Sequence, residues 1–306
     1  MSIYRNISII YNPAAGGMRW RRGLPEQVRR EMTSLGHGVT MVPTPGPNTA
    51  GRIAKERIDA GTDLILALGG DGTLNEVLPG VAHTNVPVGI LPAGTANVLA
   101  RELGLGCNAI RVARRIGDCV PRRISLGLLR TEPNEERYFA LMAGCGLDAH
   151  IVYRLSLPLK AKLGQFAYWV GSFEQLIRRL DELDVEVNGE TFRASFALAS
   201  RVRNYAGYLQ VARRVSLVKP EFEVVLFEGK SAVRYYLKYL AAILSGRKQN
   251  VKGMTFLRAS KAAFTSADRR VYVQVDGEYA GRLPASVEIV PDALTLLTPP
   301  EYLARP

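Results

Sequence analysis

The sequence predicts two domains of different class in one chain: a parallel α/β domain over residues 1–122 and an antiparallel β-sandwich over residues 123–290. Three observations carry that division. Up to about Gly117, short apolar runs alternate with stretches whose apolar residues recur at helical spacing. Two of the junctions between them are glycine turns, Gly69-Gly70-Asp71-Gly72 and Pro92-Ala93-Gly94-Thr95. After Pro121 the pattern changes to short alternating segments separated by tight turns. At 306 residues, 47% of them hydrophobic, the chain is long enough to bury two cores.

Residues 7–11 read as a first strand, followed by the loop 12–17 and a basic helix over about 20–35. A second strand at 39–43 leads through a loop containing Thr44 to a helix at 49–60. Residues 64–68 then form an apolar run, with Leu74, Val77, Leu78 and Val81 behind it on one helical face. The same order repeats as strand 88–91, turn 92–95 and helix 97–103, and a further helix covers 110–116. Such β–α alternation requires right-handed crossovers and a mainly parallel sheet, so the first domain is Rossmann-like. In the second half, strands are expected at 123–130, 138–143, 184–188, 191–199, 223–227, 254–259, 271–275 and 287–290, with Asn188-Gly189 as a hairpin turn. Two helical stretches interrupt them. One, 163–180, carries Phe166, Tyr168, Trp169 and Phe173; the other, 232–244, places Val233, Tyr236, Leu237, Leu240 and Leu244 on one face. Burial against the sandwich accounts for both better than direct membrane contact does.

The glycine turns carry the chemistry. Glycine lets a backbone approach a ligand without a Cβ, and the free N–H groups that open the following helix suit a phosphate. One such turn can serve packing alone. Two at the ends of consecutive strands lie side by side on one sheet edge, where open α/β sheets bind ligands. The residues fit neither a Walker A loop, which ends in Gly-Lys-Ser/Thr, nor the dinucleotide pattern GxGxxG. Asp71 stands where nucleotide phosphates and their cation would arrive, and Thr73, Asn75, Thr95 and Asn97 are suitable hydrogen-bonding partners.

Together, GGDGTLNEV at 69–77 and LPAGTANVLAREL at 91–103 resemble the diacylglycerol kinase catalytic-domain superfamily, which includes soluble bacterial lipid kinases and the sphingosine and ceramide kinases. The likeness runs from Asn12 and Pro13 to Asp276-Gly277-Glu278. GGDG is shared with NAD kinases and phosphofructokinases, whereas GTAN and the late DGE narrow the resemblance to lipid kinases. It implies transfer of the ATP γ-phosphoryl group to a lipid alcohol in a cleft between the domains, with diacylglycerol the leading acceptor. A sphingoid-base kinase and a non-catalytic nucleotide-binding regulator are the alternatives.

By the same resemblance, Asn12 and Thr44 border the nucleotide, Gly69, Gly70, Gly72 and Gly94 shape its phosphate turns, and Asp71 meets Mg2+ directly or through water. Asp276 would be the base, with Glu278 alongside. The residues alone read Asp276-Gly277 as an ordinary hairpin turn, and the two roles are compatible. A closing strand near 294–299 would return residues 291–306 to the nucleotide domain. The sequence departs from the family at Val218, Lys219 and Pro220, where bacterial members carry an acidic turn holding a structural divalent ion, and at Arg213, where they carry proline. That ion is therefore expected to be missing, with the Lys219 ammonium in its place or simply solvated.

The net charge of +12 is compatible with nucleic acid, an anionic membrane or phosphate-rich substrates. Clusters at 19–22, 213–219 and 247–252 lie in no nucleic-acid module, so the expected partners are an anionic membrane surface and a lipid alcohol, without nucleic acid. A merely soluble basic surface explains the charge alone equally well. Homodimerisation is left open. No apolar run reaches the roughly eighteen residues of a membrane span, and residues 1–12 lack a signal-peptide layout. A cytoplasmic, peripherally membrane-associated protein is expected. Cys107, Cys119 and Cys145 form no CxxC, and His37, His83 and His150 are scattered, so neither set is assigned chemistry.

Overall fold

The computed structural model describes residues 4–14, 18, 21, 23–132, 135–146, 181–205, 209–229, 251–267 and 271–305. The helices expected over 163–180 and 232–244, and His150, lie outside the described residues. The chain divides into two compact units, Met1–Leu126 with Pro291–Pro306, and Gly127–Val290.

In the first unit β1 (Asn6–Tyr11), β2 (Gly38–Pro43), β3 (Leu64–Gly69) and β4 (Val88–Pro92) form a parallel sheet in the order β2-β1-β3-β4. β3 and β4 are buried along their whole length, as parallel strands covered on both faces must be, and hence read as unbroken apolar runs. Helix α1 (Leu24–Ser34) opens with proline in its first turn and buries Leu24, Val28 and Met32, one residue per turn. Helix α2 (Ala50–Asp59) buries Ala50, Ile53 and Ala54. Helix α3 (Asp71–Val81) follows β3 directly and buries Leu74, Val77, Leu78 and Val81, while the short α4 (Val98–Glu102) and α5 (Ala109–Arg114) follow β4. Ile7, Ile9, Val28, Met32, Leu66 and Leu68 lie in one apolar core.

The second unit is antiparallel. β5 (Val120–Thr131) enters it from the first unit and pairs with β6 (Glu135–Phe139). After β7 (Met142–Gly146) come β8 (Leu183–Val187), β9 (Glu190–Ala194), β10 (Phe196–Ser200) and the two-residue strands β11 (Asn204–Tyr205) and β12 (Leu209–Gln210). β13 (Phe222–Phe227), β14 (Met254–Ala259), β15 (Lys261–Thr265), β16 (Tyr272–Val275) and β17 (Glu278–Arg282) follow. One sheet runs β14-β13-β10-β7-β16-β17, and β15 pairs with β8, which pairs with β9. Alternate residues, including Phe222, Val224, Val273 and Val275, meet Phe139, Val185 and Phe264 in a common core. Asn188 and Gly189, both at positive φ, make the expected turn between β8 and β9.

Four expected strands differ. Residues 138–143 are not one strand, because the chain breaks between β6 and β7 where the amides of 140–142 turn to a side chain. Residues 191–199 break at Ser195, whose N–H and hydroxyl both donate to the Phe227 carbonyl, at 2.9 and 3.3 Å. The strands expected at 287–290 and 294–299 are one, β18 (Ala285–Thr298), pairing antiparallel with β15 in its first part and parallel with β4 at Leu296. β15 and β17 were not expected; two alanines in the first and Gly281 in the second weaken their β signal. Helix α6 (Pro300–Leu303) follows β18.

Candidate active site

The first unit gathers its chemistry at the carboxyl ends of the parallel strands. Tyr11 lies opposite Pro43 and Leu68, and Gly69 opposite Pro92, so the loops that follow emerge along one edge. Asn12 accepts the Ala14 N–H at 2.8 Å on Oδ1, forming a local turn, and buried Thr44 donates its N–H to the Tyr11 carbonyl at 2.9 Å. Beside them the two glycine turns touch backbone to backbone. A Cβ on Gly70 would come within 3.2 Å of the Gly94 Cα, and one on Gly94 would collide with the Gly70 Cα. The Ala93 N–H reaches the Gly69 carbonyl at 2.8 Å, and the Thr73 side chain packs over Gly69 so closely that a Cβ there would clash with its hydroxyl.

Asn97 braces the second turn. It sits at φ 46°, accepts the Gly94 N–H on Oδ1 at 2.9 Å and returns its Nδ2 to the Gly94 carbonyl at 2.8 Å. With its side chain turned back, Asn97 does not cap α4. Asp71 does so from the other turn: Oδ2 accepts the Val98 N–H at 2.9 Å and Oδ1 the Leu99 N–H at 3.1 Å. Burial pushes the Asp71 carboxyl above its ordinary value, against the opposing pull of those amides and of Arg101. Asn75 is buried, Gly72 is half-buried and Thr95 is exposed.

In the second unit Asp276 and Gly277 form the two-residue turn between β16 and β17, both at positive φ. The turn does more than reverse the chain. Asp276 Oδ1 accepts the N–H groups of Leu141 and Met142 at 3.0 and 2.8 Å, Oδ2 accepts that of Ala140 at 3.1 Å, and the Asp276 N–H donates to the Met142 carbonyl at 2.9 Å. Glu278 is ion-paired with Arg137 at 3.3 Å, and Arg137 also donates to the Tyr279 carbonyl. Arg137 and the amides of 140–142 carry no signal in the sequence, because their partners lie more than a hundred residues away.

Of the two expectations for the loop around the family departure, an exposed Lys219 agrees with the solvated one. The Lys219 N–H closes a turn onto the Ser216 carbonyl at 3.0 Å. It is Arg201, fully buried, whose Nη2 donates to a loop carbonyl, that of Leu217, at 2.9 Å. Arg213 donates its N–H to Glu223 at 2.5 Å and lays its guanidinium 3.9 Å over the Phe256 ring. Among the described residues no group of three or more His, Cys, Asp and Glu side chains could hold a metal ion.

The chain joins a parallel α/β unit with paired glycine turns to an antiparallel β unit carrying a braced Asp-Gly turn, and its relatives share this two-unit architecture. Residues 6–129 match the diacylglycerol kinase catalytic domain, and residues 142–298 match the YegS C-terminal NAD kinase beta sandwich-like domain. A diacylglycerol kinase of Bacillus subtilis is 30% identical over 282 residues, covering 90% of each chain, and one of Staphylococcus haemolyticus is 28% identical over 283 residues, covering 91% of this chain and 83% of that one. The crystal structure of a diacylglycerol kinase from Bacillus anthracis superposes with a TM-score of 0.76 at 18% identity over 98% of this chain and 99% of that one, which bears on the fold. The chain belongs to the diacylglycerol kinase catalytic-domain family and is a lipid kinase, with ATP as co-substrate. Among the described residues no helix is long and apolar enough to cross a membrane.

Proposed function

We propose that the enzyme transfers the γ-phosphoryl group of ATP to the hydroxyl of diacylglycerol, forming phosphatidic acid. The paired glycine turn supports the nucleotide half of this reading, with two backbones in contact at Gly70 and Gly94, on the carboxyl edge of a parallel sheet and beside a carboxylate, and the diacylglycerol kinases among its relatives support the acceptor. Gly69, Gly70, Gly72 and Gly94 leave room for the phosphates, and Asn12 and Thr44 border the nucleotide. Thr73, Asn75 and Asn97 act from buried positions that shape the turns, while exposed Thr95 bonds the nucleotide directly. Asp71, which offers the oxygen ligands that hard cations take, would hold Mg2+ directly or through water. Bound with ATP, the ion spreads the charge of the transferring phosphoryl group. Asp276 takes the proton of the acceptor hydroxyl as the new O–P bond forms and the bond to ADP breaks, with Glu278 alongside.

Labelled ATP supplied with a panel of lipid alcohols in mixed micelles tests the acceptor. Diacylglycerol should carry the label; label on a sphingoid base in its place would overturn the assignment. The enzyme works as a peripheral, cytoplasmic protein on an anionic membrane surface, a reading motivated by the charge of +12 and by exposed Arg214 and Lys219. Binding to anionic vesicles should weaken as salt rises, because exposed charges are screened over roughly 8 Å at physiological ionic strength. Equal, salt-insensitive binding to neutral and anionic vesicles would contradict it.

A further inference from the structure

The carboxylate assigned as base is oriented by the amides of residues 140–142, and that segment is gripped from its other side. β10 pairs with β7 as far as Ser200 opposite Met142, and one residue beyond, the Arg201 N–H donates to the Leu141 carbonyl at 2.8 Å. Leu141 thus has its N–H on Asp276 Oδ1 at 3.0 Å and its carbonyl on Arg201. The Arg201 side chain is wholly buried, with Nη2 on the Leu217 carbonyl at 2.9 Å. Leu217 belongs to the loop between β12 and β13, which is pinned by its own turn at Ser216 and Lys219 and by the Arg213 N–H on Glu223. A guanidinium stays charged, and withdrawing it from water is costly unless it is held by hydrogen bonds. The end of β10 carries that cost where an apolar side chain would fill the volume.

We propose that Arg201 is a positioning residue for phosphoryl transfer: anchored on the Leu217 carbonyl, it fixes the 140–142 segment whose amides aim the Asp276 carboxylate. The proposal rests on Asp276 being the base. No bond forms or breaks at Arg201. Its effect is geometric, and a base displaced by a fraction of an ångström loses rate without losing nucleotide affinity.

Arg201→Met keeps the length of the side chain and removes its charge and donors, whereas Arg201→Lys keeps a cation and a donor for Leu217. Each is measured for kcat, for KM with ATP and for thermal unfolding, alone and combined with Asp276→Asn. Arg201→Met should lower kcat on the order of tenfold to a hundredfold with KM for ATP nearly unchanged, and Arg201→Lys should recover most of the rate. In the Asp276→Asn background, Arg201→Met should add nothing further, because both act through one carboxylate. Wild-type kcat in Arg201→Met, or an equal loss in both backgrounds, overturns the proposal. Should Arg201→Met not fold, Arg201→Gln replaces it in the same cycle and is judged by the same outcomes. Amide exchange separates this idea from the base assignment. Wild-type kcat in Asp276→Asn would remove the base, whereas unchanged exchange at residues 140–142 in Arg201→Met would refute the grip of Arg201 whatever the kinetics.

Discussion

Asp71 and Asp276 are each followed by glycine, and each spends its carboxylate on backbone amides distant in sequence: Val98 and Leu99 for the first, Ala140, Leu141 and Met142 for the second. Their settings differ. Asp71 is in the first turn of α3 and caps a neighbouring helix whose own N-cap residue, Asn97, faces Gly94 instead. Asp276 is in a left-handed turn and holds a stretch where β6 and β7 part. The first carboxylate completes a regular element, worth about 1 kcal/mol as a helix cap. The second maintains an irregular one, with three amides depending on two oxygens. Loss of a carboxylate oxygen should therefore cost more at Asp276.

Asp276→Asn should show the largest effect. One amide oxygen can serve the two donors now on Oδ1, the group facing Ala140 becomes a donor, and the proposed base is gone. General-base catalysis contributes roughly a hundredfold to ten-thousandfold, so kcat should fall by about a thousandfold while KM for ATP holds. Steady-state kinetics on the folded fraction decide it: normal turnover would leave Asp276 a turn residue and nothing more. Glu278→Gln, which keeps a hydrogen-bonding oxygen toward Arg137, should lose much less.

Asp71→Asn comes next, with a loss of phosphoryl transfer on the order of a hundredfold, as expected when a charge serving the transition state is removed. Near-normal turnover in a folded variant would rule the role out. It also separates the two aspartates by pH. The folded carboxyl of Asp71 is raised above 3.8, so its contribution to stability is fully present below that value and is lost as pH rises through the raised one. Asparagine does not titrate. Denaturant melts across that window should show wild type losing stability relative to Asp71→Asn as pH rises, and the opposite slope would contradict burial as the dominant cause.

A smaller effect is expected where the two turns touch. Gly94→Ala places a methyl group against the Gly70 backbone, and overpacking of this kind costs about 1 to 3 kcal/mol. Gly46→Ala, with nothing within 4 Å of the added methyl, is the control and should stay within about 0.5 kcal/mol of wild type. ATP affinity should fall with Gly94→Ala alone. Equal affinities would mean that the contact serves packing and not the nucleotide.

These contrasts also explain what could be read from the residues. β3 and β4 were legible because full burial leaves continuous apolar runs, and the turn at Asn188-Gly189 because its dipeptide is local. The break after Phe139 was not, since Tyr138, Phe139 and Leu141 keep an extended, apolar pattern and the carboxylate that interrupts it arrives from Asp276. Asp71 and Asp276 stood out by motif, yet their partners did not, being 27 to 136 residues away. Lys219 drew attention as the local substitution in its loop, whereas the buried cation on that loop is Arg201, placed there by the pairing of β10 with β7.

The smallest predicted effect asks whether loosening stays local. Cys107 is exposed, while Cys119 in the first unit and Cys145 in the second are buried, so Cys107 should react first with a thiol reagent. Burial also pushes the Cys119 thiol up to about 11, so at about pH 8 only about one molecule in a thousand would carry its thiolate. Cys145 lies in β7, three residues beyond the segment that Asp276 holds, between Ala197 of β10 and Val273 of β16. If Asp276 maintains that part of the sheet, Asp276→Asn should raise labelling at Cys145 by roughly tenfold through local opening and leave Cys119 as it was. Asp71→Asn should leave Cys145 unchanged. Matching acceleration at Cys119 and Cys145 in Asp276→Asn would show global destabilisation instead, and the contrast between a carboxylate that completes a helix and one that holds open a break in a sheet would lose its physical basis.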